Sequence, residues 1–206
     1  PQEYREDSAL LMRWLSRRWL YNIPKSLQTE GLRPLGRLAF VDHSRQIGER
    51  LRLTLDHARR GAETSEAPTP TADASTNQLR VYVVAGVSGG TGSGMSLDVG
   101  YAVRAMAAKQ GFDDVEVIGF FLHAMGRDAQ QNNLAKVNAF AWLREYNHYH
   151  RADGVYPGDE GCGLPAFPPG RKAFDAAYFL DLGVAVDDEA LNAAASEVAE
   201  YLYLDA

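Results

Sequence analysis

Cysteine is all but missing from this chain of 206 residues: Cys162 is the only one. A single thiol excludes an internal disulfide and fits a reducing cytoplasm. Together with His148 and His150 it matches no standard zinc spacing and lacks a fourth ligand, so these residues read as histidines on a polar helix end and a small buried thiol. Positive charge is in deficit, with 21 lysines and arginines against 27 acids and a formal net charge of -6. That balance leaves no broad basic surface for a nucleic-acid backbone, and nucleic acid is not an expected partner. Long apolar runs are missing as well. None reaches the length of a membrane span and no signal peptide opens the chain, which argues against membrane insertion. The chain also lacks an initiating methionine, begins at Pro1 and stops inside an apparent helix, so it reads as an excerpt of something longer.

What is present suffices for one core. Hydrophobic residues make up 46% of the chain, which at this length is expected to form a single α/β domain over residues 1–206. One stretch breaks the pattern: GAETSEAPTPTADASTNQ, residues 61–78, has no large apolar residue and reads as a flexible surface insertion.

Around it, periodicity predicts a helix over 3–21 carrying Leu11, Trp14, Leu15 and Trp19 inward, a loop over 22–34, and a long helix over 36–60 burying Ile47, Leu51 and Leu55. A strand over 79–85 follows, then a helix over 93–110 with an inward stripe of Val99, Ala102, Val103 and Met106, capped by Gly111. The nearly all-apolar run VEVIGFFLH at 115–123 predicts a central parallel strand. A helix over 132–149 should face Leu134, Val137 and Ala141 inward. Residues 154–170, rich in glycine and proline, should be irregular. A third strand over 174–180 and a last helix from about residue 187, burying Leu191, Ala195, Val198 and Leu202, complete the order. The expected fold is a doubly wound, mostly parallel α/β sheet.

The chemistry concentrates in Gly86-Val87-Ser88-Gly89-Gly90-Thr91-Gly92-Ser93-Gly94. A strand, a glycine-rich turn and a helix start make an anion site, because the uncapped N–H groups of the first helical turn point at the ligand. Phosphate is the natural occupant. A Walker A loop is excluded, since Met95-Ser96 stands where Lys-Ser or Lys-Thr is needed. The dinucleotide fingerprint fails because Gly90, Gly92 and Gly94 are spaced by two throughout. Gly86-Val87-Ser88-Gly89-Gly90 does fit the G-x-S-x-G nucleophile elbow. A serine hydrolase using Ser88 therefore stays as an alternative, although no acid and histidine follow in the places an α/β-hydrolase needs and Thr91 to Gly94 lengthen the turn beyond an elbow.

The segment Ser88-Gly89-Gly90-Thr91-Gly92-Ser93-Gly94 resembles the G-G-G-T-G-[ST]-G signature of the tubulin and FtsZ superfamily, with Ser88 in place of the first glycine. Upstream, Arg33-Pro34-Leu35-Gly36-Arg37 opens a helix much as the family's N-P-x-x-G-R loop does, with Pro34, Gly36 and Arg37 matching. The nearest likeness is to the large bacterial tubulin-like proteins, whose signature contains V-S-G-G-T-G-S-G-M. The resemblance covers about Leu32 to Ala206 and implies an incomplete Rossmann-like nucleotide-binding domain.

It also implies roles. Gly86 and Ser88 to Gly94 would bind GTP or GDP, with the N–H groups of Gly89 to Ser93 holding the α- and β-phosphates; Thr91 would lie near the β/γ bridge, and the loop from Gly31 through Pro34 and Gly36 to Arg37 would sense the γ-phosphate. Mg²⁺ would offset phosphate charge, because the loop has no lysine. Arg127 would border the ribose, Asn138 would approach the base, and Asp181 stands near the position of the guanine-reading asparagine. The water-activating acid would lie on a loop beyond Ala206 and act in trans, at a head-to-tail contact that builds cytoplasmic filaments. A scaffold that binds nucleotide without hydrolysis is the other alternative.

Overall fold

Strand pairing starts from the most apolar segment of the chain. In β2 (Asp114–His123), Val117 and Phe121 are buried on one face and Ile118 and Phe120 on the other. A strand apolar on both faces belongs inside a sheet covered on both sides, and β2 is indeed the middle strand. The computed structural model describes residues 8–26, 28–64 and 78–205. Among these, β1 (Gln78–Gly86), β2 and β3 (Ala176–Asp181) form one parallel sheet in the order β1-β2-β3. Register pairs Gly86 with Leu122 and His123 with Asp181, so the three strand ends open onto one edge.

Among the described residues there are seven α-helices: α1 (Ser8–Leu11), α2 (Arg17–Leu20), α3 (Arg33–Asp42), α4 (Ser44–Thr64), α5 (Gly90–Lys109), α6 (Ala129–His150) and α7 (Asp188–Asp205). Helices α5 and α6 cover one face, where Val83, Val117 and Phe121 meet Leu97, Tyr101 and Trp142. Helix α7 covers the other with Val198 and the half-buried Leu202. Layers on both faces make the α/β, Rossmann-like architecture that the sequence predicts. Among the described residues no helix is long and apolar enough to cross a membrane.

Several boundaries differ from the sequence expectation, each for a local reason. The first helix is two short ones, because Ser16 is extended (φ -65, ψ 146) and starts α2; Leu11, Leu15 and Leu20 are buried, and Trp14 and Trp19 pack beside them only partly buried. Its expected start at residue 3 lies outside the described residues, as does most of the insertion, 65–77. The long helix over 36–60 begins earlier, with Pro34 in its first turn, and breaks at His43, whose ψ of 11 ends α3 before α4 departs. Helix α5 is buried nearly all round rather than along one stripe, with Leu97, Asp98, Tyr101 and Arg104 inside besides Val103. Gly111 does cap it in the left-handed region, φ +76.

In α6 the buried stripe is Ala135, Asn138, Ala139 and Trp142, and Val137, expected inward, is 61% exposed. The rotation follows from Asn138, a polar residue that faces inward because two carbonyls wait there. The third strand starts at Ala176; Phe174 is fully buried but precedes it. On α7 only Val198 is buried, and Leu191, at 45%, stays exposed.

Candidate functional site

The glycine-rich segment sits where β1 leaves the sheet. The sequence suggests a turn running to Gly94, but the structure shortens it: Val87 to Gly89 make the turn and Gly90 already begins α5. Gly89 is the N-cap residue, extended at φ -90 and ψ 171, and no side chain caps the helix. The first-turn N–H groups of a 20-residue helix thus point outward at the carboxyl end of the sheet with the positive end of the dipole behind them. This is a place for an anion. The short turn also removes the length argument against an elbow, and the serine hydrolase has to be judged on geometry instead.

That geometry fails it. Ser88 Oγ accepts the Ala124 N–H at 2.8 Å, tying the β1 exit to the β2 exit. His123 Nδ1 lies 3.3 Å from Asp181 Oδ1 while its Nε2 is buried without a partner, and His150 contacts the Tyr146 carbonyl and the Phe174 N–H. Among the described residues no histidine hydrogen-bonds to Ser88, so no base is built against the hydroxyl.

The five glycines after the turn's start do two different jobs. A Cβ on Gly90 would come within 2.6 Å of the Leu32 nitrogen; on Gly92 it would overlap the Gly86 carbonyl; on Gly94, the Arg33 carbonyl; and on Gly36, the Gly90 carbonyl. Gly36, Gly90 and Gly94 are glycine so that α3 and the residues before it can lie backbone to backbone on the first turns of α5, and Gly92 so that the helix start can fold against the end of β1. Gly86 and Gly89 differ, since a Cβ on either meets nothing within 4 Å. The open side of the turn is therefore theirs.

The two motifs quoted from the sequence do come together. Thr29 Oγ1 stands 3.2 Å from Thr91 Oγ1, bringing the loop before α3 against the exposed first turn of α5. Asn138 locks that approach: its Nδ2 donates to the Gly31 carbonyl at 2.8 Å and to the Ser88 carbonyl at 2.9 Å, and the residue is only 3% exposed. Its amide nitrogen is spent as a clamp between loops. Ser93 is buried and its hydroxyl turns back to the Gly89 carbonyl, so its side chain is not offered to a ligand.

Arg33, which sequence reasoning passed over, holds the Ser93 carbonyl through Nε and Nη2 at 3.1 and 2.8 Å and pairs with Glu145 at 2.6 Å. With its partner 112 residues away, nothing local in the sequence marks it. Arg37 is drawn from the loop toward Asp98 (3.6 Å) and Asp159 (3.7 Å), with its guanidinium 4.8 Å from the Trp14 ring centre. Burial pushes the Asp98 carboxyl upward and the Arg37 charge opposes that shift.

At the far strand end, Asp181 has one oxygen fixed: Oδ1 accepts from the Gly183 N–H at 3.0 Å and faces His123. These bonds, the backbone one first, hold its carboxyl below the usual range, and its side chain is 62% exposed. Arg127 stands 78% exposed on the rim, 3.6 Å from Asp187. The loops after β2 and β3 brace each other through Met125 N–H to the Gly183 carbonyl and Val186 N–H to the Met125 carbonyl.

An open parallel sheet with a glycine turn, an uncapped helix start and a second loop docked on it, all at the carboxyl ends of the strands, defines a Rossmann-like α/β domain whose binding edge is at the strand ends. A family model described as tubulin-like matches residues 1–203, and the chain belongs to that family as a tubulin/FtsZ-like domain. Nothing among curated proteins or solved structures matches it.

Proposed function

We propose that this chain is the GTP-binding domain of a filament-forming GTPase. The observation that carries the reading is the first turn of α5: its N–H groups are uncapped, Gly86 and Gly89 leave the space in front of them clear, and Thr29 and Thr91 meet beside it. The α- and β-phosphates rest on the N–H groups from Gly89 to Gly92, where dipole and donors act together. Thr91, exposed and paired with Thr29, stands where the terminal phosphate arrives, so the loop before α3 senses that phosphate through the hydroxyl pair rather than through Arg37. Asp181 offers its free oxygen to the base. Among the described residues no three His, Cys, Asp or Glu side chains gather as a metal site. Mg²⁺ would accordingly ride on phosphate oxygens and water, with the Thr29 and Thr91 hydroxyls as nearby protein oxygens, and would supply charge neutralisation. Hydrolysis occurs in trans, at a head-to-tail subunit contact in the cytoplasm.

A second reading, nucleotide binding without hydrolysis, is favoured by one feature. Among the described residues no carboxylate hydrogen-bonds to Gly89, Gly90, Thr91 or Gly92. Calorimetric titration with GDP and GTP in the presence of Mg²⁺ tests the shared premise. Gly89→Glu, placed in open space, should abolish binding while the fold persists. Undiminished affinity in that variant sinks the reading.

A further inference from the structure

A pocket of about 360 Å³ lies between α3, α5 and α6; its lining includes Pro34, Arg37, Ser93 and Gly94 of the two motifs and Asn138, but neither Gly86 nor Gly89. Trp14, Tyr149, Tyr156 and Pro157 wall it with flat apolar surface, and Arg37 and Asp98 supply its polar corner. Its volume falls within the range of small-molecule sites.

The polar corner is unfinished. Arg37 Nε and Asp98 Oδ2 are 3.6 Å apart, beyond a hydrogen bond, and Arg37 makes no hydrogen bond to any described residue although its side chain is only 27% exposed. Asp98 is buried and has one oxygen taken by the Tyr156 hydroxyl, so the other faces Arg37 alone. A guanidinium has five donors, and leaving them unmade in a mostly buried place is costly. Donor and acceptor thus stand side by side at a spacing that one edge carrying a C=O next to an N–H can span with two hydrogen bonds.

Charge narrows the ligand further. The lining holds two cations, Arg33 and Arg37, and two carboxylates, Glu145 and Asp98, and Asp159 outside it adds an acid beside Arg37, so nothing there favours an anion. Aromatic and proline walls favour a flat ring. We propose that this pocket is a second ligand site, taking a neutral flat ring with a cis-amide edge, whose C=O accepts from Arg37 and whose N–H donates to Asp98. The inference goes beyond the proposed nucleotide site and does not depend on it, because the ligand needs no phosphate.

The probe is 2-pyridone, which has such an edge, and its control is N-methyl-2-pyridone, the same ring without the N–H. Titration is followed by ¹⁵N NMR of the three tryptophan indoles, Trp14, Trp19 and Trp142, in the folded chain. Saturable shifts at Trp14 with Trp142 unmoved are expected, together with at least about a 10-fold weaker response to the N-methyl ring, since a site built to hydrogen-bond rejects the analogue that lacks the group. Arg37→Met should lose the response, and GDP with Mg²⁺ should leave it unchanged. No saturable shift through the millimolar range, equal binding of both rings, or displacement by GDP overturns the proposal. The wild-type comparison of the two rings decides the matter even where Arg37→Met fails to fold. Loss of GDP binding alone would count against the nucleotide reading and not against this one.

Discussion

Two halves of one glycine-rich segment behave in opposite ways. Gly90, Gly92 and Gly94 are hemmed in by the backbone of Gly86 and of residues 31–37, while Gly86 and Gly89, a few residues earlier, face open space. In a sequence the five are indistinguishable, and all of them invite the same explanation, room for a phosphate. The structure divides the work: the later glycines let the helix start pack against α3 and the end of β1, and the earlier ones keep the approach to the helix start clear. Glycine content alone thus overstates how much of the motif touches a ligand.

The contrast breaks most visibly under substitution. Gly92→Val would drive a branched side chain into the Gly86 carbonyl, and should cost at least about 3 kcal/mol or prevent folding, because backbone cannot yield as a side chain can. Gly89→Val has neither a neighbour to strike nor an unfavourable φ, and should change stability by no more than about 0.5 kcal/mol. Urea melts of the two variants compare the halves directly. Equal losses would mean that the division is wrong. For the same reason, loss of nucleotide binding in Gly92→Val would say little about phosphate contact, and Gly89 is the residue to change for that purpose.

The clamp between the two loops comes next. Asn138→Ala removes the donor to two carbonyls, those of Gly31 and Ser88, at a site 3% exposed, and should cost about 2 kcal/mol. Hydrogen exchange offers the sharper measurement: amides of residues 28–32 and 87–89 should open together in the variant. Independent behaviour of the loops would show that Asn138 does not couple them. Ser88→Ala should be milder, about 1 kcal/mol, through the lost acceptor for the Ala124 N–H.

How much of this was legible in the sequence follows from the range of the interactions. The parallel strands were readable because VEVIGFFLH is apolar on both faces, and Gly111 because a helix end needs a left-handed residue. The doubling of the long helix at His43 was not, since Ile47, Leu51 and Leu55 keep their period across α4 whether or not α3 continues into it. Asn138 was singled out, yet its inward role depends on carbonyls 107 and 50 residues away. Arg33 was hidden in the same way by its distance from Glu145. The hydroxyl pair of Thr29 and Thr91 has no sequence signal either, because 62 residues separate its members.

The smallest expected effect tests how far the packed half extends. Asp98 lies one helical turn beyond Gly94, on the same interface with α3, and is 7% exposed. Burial raises its carboxyl above the usual range, against the opposing pull of Arg37 and of the Tyr156 hydroxyl. With the folded pKa above the unfolded one, the native state holds a proton that the unfolded chain has released across the window between them. Stability therefore declines as pH rises through that window and is level above it. Asp181 and Glu49, whose carboxyls are lowered, act in the opposite sense and at lower pH, where stability is lost as pH falls. Asp98→Asn keeps the shape and removes the titration, so the difference in urea midpoint between wild type and variant should change with pH above the usual carboxylate range. Two parallel curves would mean that Asp98 is solvated as an ordinary surface acid, and that the tight packing of α3 on α5 stops at the glycines.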